Sequence, residues 1–266
     1  MKRIIIIISA ALALCSCGPK LVIIHTNDTH SHLEPIRSGE LDGRGGAIER
    51  AAFVDSIRAE VGEDRVLLVH AGDFSQGSSY FSCLGGEAED AVLNAMRYDV
   101  VTLGNHELDN GLEDLTERVK RISCPVVCAN LDLSSFELGE YVKPYTILLR
   151  GKMKIGVIGL EANLDGNVSR LISSRIPVLD PVEESNKWAE YLKKTEKCDF
   201  VMILSHRGWN ADLEQAAASR NVDLIIGGHS HTRIDGIECV KDLDGKDVRV
   251  ATDWLWGLEM GKVEIR

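Results

Sequence analysis

Five short apolar runs in this chain each stop at a cluster of histidine, aspartate or asparagine. Ile23-Ile24 leads into His25-Thr-Asn-Asp28-Thr-His30, and Leu67-Leu68-Val69 into His70-Ala-Gly72-Asp73. Val101-Thr-Leu103 leads into Gly104-Asn105-His106-Glu107, Ile203-Leu204 into Ser205-His206, and Ile225-Ile226 into Gly227-Gly228-His229-Ser-His231. Such runs read as buried strands. In an α/β sheet the loops beyond the carboxyl ends of neighbouring strands converge, and ligands bind there. Few folds other than a helix-covered sheet could gather these five ends. All eight histidines, at 25, 30, 32, 70, 106, 206, 229 and 231, lie in or beside them.

The rest of the chain supports that architecture. Ala47, Ala51, Val54 and Ile57 give a helical pattern over 45–60, and further helices are expected over 87–96, 112–121, 182–194 and 212–220. Strands are expected over 21–24, 66–69, 100–103, 125–129, 145–149, 200–204, 224–226, 248–252 and 258–265. Gly151-Lys152 reads as a hairpin turn into a strand over 154–158. Strands alternating with helices imply helices packed on sheet faces. A length of 266 residues suffices for one large domain, and no repeat or linker divides it.

Aspartate, asparagine and histidine suit borderline divalent cations such as zinc, manganese or iron. Asp28, His30, Asp73, Asn105, His206, His229 and His231 are too many donors for one tetrahedral zinc. They fit two cations sharing a bridging carboxylate, roughly 4 Å apart, an arrangement that clamps an in-line displacement. The formal net charge of −11 argues against a nucleic-acid backbone or an anionic membrane surface as partner. Positive charge for a phosphate ester would then have to come from bound cations.

The first residues read as an export leader. Lys2 and Arg3 precede an apolar run from Ile4 to Leu14, too short to span a bilayer. The following Leu14-Cys15-Ser16-Cys17 resembles a bacterial lipobox, which implies a signal peptide over 1–16 and lipidation of Cys17. Plain secretion with cleavage nearby is the alternative. The expected organisation is thus a leader over 1–16, a lipidated tether over 17–20 and a catalytic domain over 21–266, held to a membrane only through the lipid. Of the other cysteines, Cys83, Cys124, Cys128, Cys198 and Cys239 match no zinc ribbon and read as buried small apolar side chains.

Taken in order, Asp28-x-His30, Gly72-Asp73, Gly104-Asn105-His106-Glu107, His206 and Gly228-His229-x-His231 resemble the calcineurin-like metallophosphoesterases. The strings HTNDTH at 25–30, GDFSQGS at 72–78, GNHELDNG at 104–111 and GGHSH at 227–231 resemble the 5′-nucleotidase branch of that family. Cys128-Ala-Asn130-Leu and Gly156-Val-Ile-Gly159 fit its spacing.

The resemblance implies a four-layer α-β-β-α sandwich, two mixed sheets flanked by helices. It implies hydrolysis of phosphate monoesters, most naturally nucleotides, by a water between the metals. Asp28, His30 and His231 would hold one metal, Asn105, His206 and His229 the other, and Asp73 would bridge them. His106 would stand by the leaving oxygen, oriented by Asp109. Asn105 and Arg207 are candidates for contact with substrate; a surface salt bridge is the other reading of Arg207. His25 and His70 read as packing groups or supports behind the ligands, and His32 as either pocket lining or solvent-facing loop. Trp209, Trp254 and Trp256 fall near the expected rim, with core packing expected for at least one.

Members of that branch carry a second, C-terminal domain that grips the nucleoside. Its pattern is not found before Arg266. Two expectations follow: a separate polypeptide supplies that domain, or the site is open and less selective. The alternatives to a monoesterase are a phosphodiesterase on cyclic nucleotides or nucleotide sugars, and a metal-loaded subunit inactive without its partner.

Overall fold

The structure, a computed structural model, describes residues 20–266. The expected leader over 1–16 and the lipidation site Cys17 lie outside the described residues. The strands in chain order are β1 Leu21–Thr26, β2 Val66–His70, β3 Val100–Thr102, β4 Val126–Val127, β5 Val142–Lys143 and β6 Tyr145–Arg150. They continue with β7 Met153–Glu161, β8 Phe200–His206, β9 Leu224–Gly227, β10 Glu238–Lys241, β11 Asp247–Thr252 and β12 Gly261–Ile265. The helices are α1 Ala47–Val61, α2 Ser79–Leu84, α3 Glu87–Met96, α4 Leu112–Arg121, α5 Arg170–Ser173, α6 Pro181–Lys194 and α7 Trp209–Ala217.

The strands form two six-stranded sheets, ordered β12-β1-β2-β3-β4-β5 and β10-β11-β9-β8-β7-β6. Inner neighbours run parallel, while β12 on β1, β10 on β11 and β6 on β7 are antiparallel. Both sheets are therefore mixed. The period of two along each strand sorts its side chains into layers. Leu21, Ile23, Leu67 and Val69 of the first sheet meet Ile155, Val157, Met202, Leu204 and Ile226 of the second in one core between the sheets. Val22, Ile24 and Leu68 point the other way, into a core shared with Val54, Leu93, Leu115 and Val119 of α1, α3 and α4. Ile158, Val201, Ile203 and Ile225 meet Ala189, Leu192 and Ala216 of α6 and α7 on the far side. Three apolar layers between four layers of elements make the expected α-β-β-α sandwich.

Local chemistry explains where elements start. Pro181 opens α6, and the Asp180 side chain accepts a hydrogen bond from the Glu183 N–H at 2.8 Å. The hairpin at Gly151-Lys152 joins β6 to β7 as expected. Differences from expectation concern short or terminal pieces. α2 and α5 are too short to show a helical period, and β5 and β10 are brief edge strands with little apolar signal. The helix expected over 212–220 starts three residues early, at Trp209 just after Gly208, and ends at Ala217. Cys128 and Cys198 are buried as expected, but Cys83 and Cys239 are exposed. No helix among the described residues is long and apolar enough to cross a membrane.

Candidate metal centre

Each of the seven expected ligands sits at or just beyond a strand end on one edge of the sandwich. Asp28 and His30 follow β1, Asp73 follows β2 and Asn105 follows β3; His206 ends β8, and His229 and His231 follow β9. The first sheet thus presents four of them and the second presents three. Asp28, His30, Asp73, His229 and His231 all have positive φ, between 45° and 73°. A left-handed backbone at a residue with a side chain costs about 1–3 kcal/mol and persists only where the surroundings enforce it. Five such residues in one cluster aim their donor atoms at a common region.

Three groups of donor atoms lie within 4.8 Å of one another: Asp28, His30 and His231; His30, Asp73 and His106; and Asp73, His206 and His229. The first and third contain residues expected for the two metals, and Asp73 belongs to two groups. Asn105 joins them, its Oδ1 2.9 Å from His229 Nδ1. Nε2 of His30 is 3.0 Å from Nε2 of His231, and Nε2 of His231 is 3.3 Å from Asp28 Oδ1.

Whether these atoms suit a cation can be judged at His206. Its Nδ1–H donates to the Ala71 carbonyl at 2.7 Å, so the neutral ring carries its lone pair on Nε2. That Nε2 is fully buried, 2.9 Å from Asp73 Oδ2, yet makes no hydrogen bond of acceptable geometry. Two lone pairs meeting in a dry site repel unless a positive charge joins them. Burial opposes a charge on His206, but the Asp73, Asp28 and Glu161 carboxylates prevail and hold its pKa well above the ordinary range. The set of imidazole nitrogens and carboxylate oxygens fits divalent cations such as zinc, manganese or iron.

His106 stands beside this cluster at the rim. Its backbone N–H donates to Asp73 Oδ1 at 2.9 Å, and its Nδ1–H donates to Asp109 Oδ2 at 2.8 Å. The Asp109 hydrogen bond raises the pKa of the imidazole, against partial burial. Of the other histidines, His25 lies 2.9 Å from Asp253, and burial pushes His70 down to about 3 while its Nε2 meets the Thr29 hydroxyl at 3.0 Å. His32 stacks on Trp256 with ring centroids 4.6 Å apart. The guanidinium groups of Arg44 and Arg233 lie 5.9 and 5.2 Å from the Trp254 ring, whereas Trp209 packs against the outer core of the second sheet. Arg207 points its guanidinium at Gln215 Oε1, 2.7 Å away, instead of pairing with a carboxylate.

Several supports were not singled out by sequence reasoning. Glu107 is buried and accepts from the backbone N–H groups of Asp73, Ser75 and Gly104 at 2.8, 3.0 and 2.7 Å, tying two ligand loops together. Asn27 bridges Asp28 Oδ2 and the Trp254 carbonyl at 2.6 and 3.0 Å. Both lie inside the strings that carry the family resemblance. Gly72 has φ +86°, and a Cβ there would come within 2.6 Å of His206 Nδ1. Glu161 ends β7, where the apolar run Ile155–Leu160 stops at an acid, a sixth instance of the opening pattern.

A sandwich of this kind, with nitrogen and carboxylate donors gathered where both sheets end, defines a metallophosphoesterase. Residues 21–233 match the calcineurin-like phosphoesterases, and the chain belongs to that family. Its relatives include 5′-nucleotidases. A snake venom 5′-nucleotidase from Naja atra is 35% identical over 80% of this chain and 41% of its own length. An NAD 5′-nucleotidase from Haemophilus influenzae is 32% identical over 80% of this chain and 36% of its own. The crystal structure of a 5′-nucleotidase precursor from Thermus thermophilus superposes with a TM-score of 0.84 at 33% identity, covering 91% of this chain and 50% of that one. The chain therefore spans half or less of these relatives.

Proposed function

We propose that the chain is an exported hydrolase of phosphate monoesters, 5′-nucleotidase-like, working with two divalent cations. One observation carries the reading: Asp73 shares one donor group with His30 and another with His206 and His229, and His106, backed by Asp109, is anchored to that same carboxylate. Asp28, His30 and His231 would hold one cation, Asn105, His206 and His229 the other, with Asp73 common to both. Bound there, the cations would neutralise phosphoryl oxygens and lower the pKa of an attacking water.

The chain's own residues supply the rest. Glu107 and Asn27 hold the ligand loops in register. His106, with Nδ1–H committed to Asp109 and its ring beside His30 and Asp73, has Nε2 left to act; as imidazolium it would pass the Nε2 proton to the ester oxygen as the P–O bond breaks. The side-chain amide of Asn105 is placed to meet a phosphate oxygen as well. Arg207 would have to leave Gln215 to reach substrate, so its part is confined to the periphery.

The test is release of inorganic phosphate from AMP, a cyclic nucleotide and an aryl phosphate, with manganese or zinc added. Turnover of the monoesters is expected. Turnover of the cyclic nucleotide alone would replace this reading with a phosphodiesterase, and no turnover with metals bound would replace it with a binding subunit.

Export rests on Lys2, Arg3 and the apolar run before Cys17, with a lipid on Cys17 as the only membrane attachment. Cys17→Ser is expected to abolish labelling by a fatty acid; labelling that persists would refute the assignment.

A further inference from the structure

Glu161 is 1% exposed, yet its carboxylate is poorly satisfied. Oε1 accepts from the Ala162 N–H at 2.8 Å, while Oε2 is buried without a hydrogen-bond partner. Leaving such an oxygen unpaired is expensive, and native proteins seldom do so without reason.

Its position supplies the reason. Along β7 the residues Ile155 and Val157 face the core between the sheets, and along β8 so do Met202 and Leu204. The period of two continues to Glu161 and His206, which pair in register at the ends of these adjacent parallel strands. Both side chains therefore enter the inter-sheet layer at the edge where the ligands gather. Gly159, two residues earlier on the same face, lets the first sheet close in: a Cβ there would meet the Val127 carbonyl at 2.1 Å and the Thr102 hydroxyl at 2.7 Å. Glu161 is thus packed between the sheets beside His206, a member of the donor group of Asp73, His206 and His229.

Charge gives it a task. Among the seven expected ligands only Asp28 and Asp73 are carboxylates, two negative charges against two divalent cations. Glu107 accepts from three backbone N–H groups, and Glu161 keeps one carboxyl oxygen free. Burial pushes Glu107 up to about 7 and Glu161 well above the ordinary carboxylate range, and a cation bound alongside would favour their charged forms.

We propose that Glu161 is a positioning residue of the metal site formed by Asp73, Asn105, His206 and His229, placing negative charge beside His206 to strengthen cation binding there without itself being a ligand. This rests on the two-metal reading above. The structural fit favours a field effect, because His206 Nδ1 is already committed to the Ala71 carbonyl and takes its orientation from that bond.

The experiment is calorimetric titration of the metal-free full chain with manganese(II), comparing wild type with Glu161→Gln and Glu161→Asp, together with thermal melts of the metal-free proteins. Glu161→Gln keeps shape and removes charge. It is expected to weaken one of the two binding steps about tenfold, in the range seen for groups just outside a metal's ligands, with Tm of the metal-free protein unchanged or raised. Glu161→Asp should recover part of the affinity. Equal affinity in all three proteins overturns the proposal, as does a fall in metal-free Tm without a change in affinity. If wild type itself fails to bind two ions, the two-metal reading fails instead.

Discussion

At the scale of single residues, the proposed function gives proton transfer to His106 and metal binding to Asp73. Both touch the same cluster, yet His106 is partly exposed while Asp73 is buried among three histidines. His106→Ala is expected to reduce kcat about 100-fold or more and leave two metals bound by elemental analysis, whereas Asp73→Ala should lose metal. Equal metal loss in both would invert these roles. The Asp109 hydrogen bond raises the His106 pKa above 6.5, so the protonated imidazole survives to higher pH. If the acid form is the active one, as proposed, kcat should fall as pH rises through that raised value. Asp109→Asn should move this alkaline limb to lower pH. The stability contributed by the same contact has the same sign: complete below 6.5 and lost as pH climbs past the raised value. That these seven residues gather at one edge was legible because strand-terminal His, Asp and Asn are conspicuous beside apolar runs. Glu107 and Asn27 were not, because their work is bonding to backbone groups, which no side-chain pattern announces.

Elements long enough to bury a periodic face were read correctly from the sequence, as α4 illustrates with Leu112, Leu115 and Val119 turned inward. Which strand lies beside which was not legible, because a parallel neighbour is chosen by packing across the whole layer. The joint between α3 and α4 is a further case. Arg118 is 1% exposed and bonds Asp90 Oδ1 through Nε and Nη2 at 3.2 and 2.9 Å, while Arg121 takes Asp90 Oδ2 at 2.9 Å. Its guanidinium also lies 5.4 Å from the ring of Phe74, the residue after Asp73. The helical layer is thereby fastened to a ligand loop. Arg118→Ala should destabilise the fold by about 3–5 kcal/mol, since it strands a buried carboxylate. Urea unfolding with the metal-free protein measures this, and a loss under 1 kcal/mol would mean that Arg121 alone satisfies Asp90.

For the whole molecule, the donors come from both sheets and from widely separated parts of the chain: Asp28 and His231 share one group. Cations bound there would hold both sheets at one edge. Chelation should then lower Tm by about 5–10 °C for one site filled at 100 times its Kd. An unchanged melting curve would show that the sandwich stands without its cations. A length of half or less of the relatives' sets a boundary on substrate choice, since only the phosphate-handling part can be compared directly.

The division of donors between the sheets also bears on biosynthesis. Asp28, His30, Asp73 and Asn105 leave the ribosome before His206, His229 and His231. The groups that join Asp28 and His30 with His231, and Asp73 with His206 and His229, need both sets, and β12, which pairs with β1, emerges later still. Filling both proposed sites would therefore wait until the second set has been made, and the metal pool of the compartment where folding finishes would then bear on which ion they take.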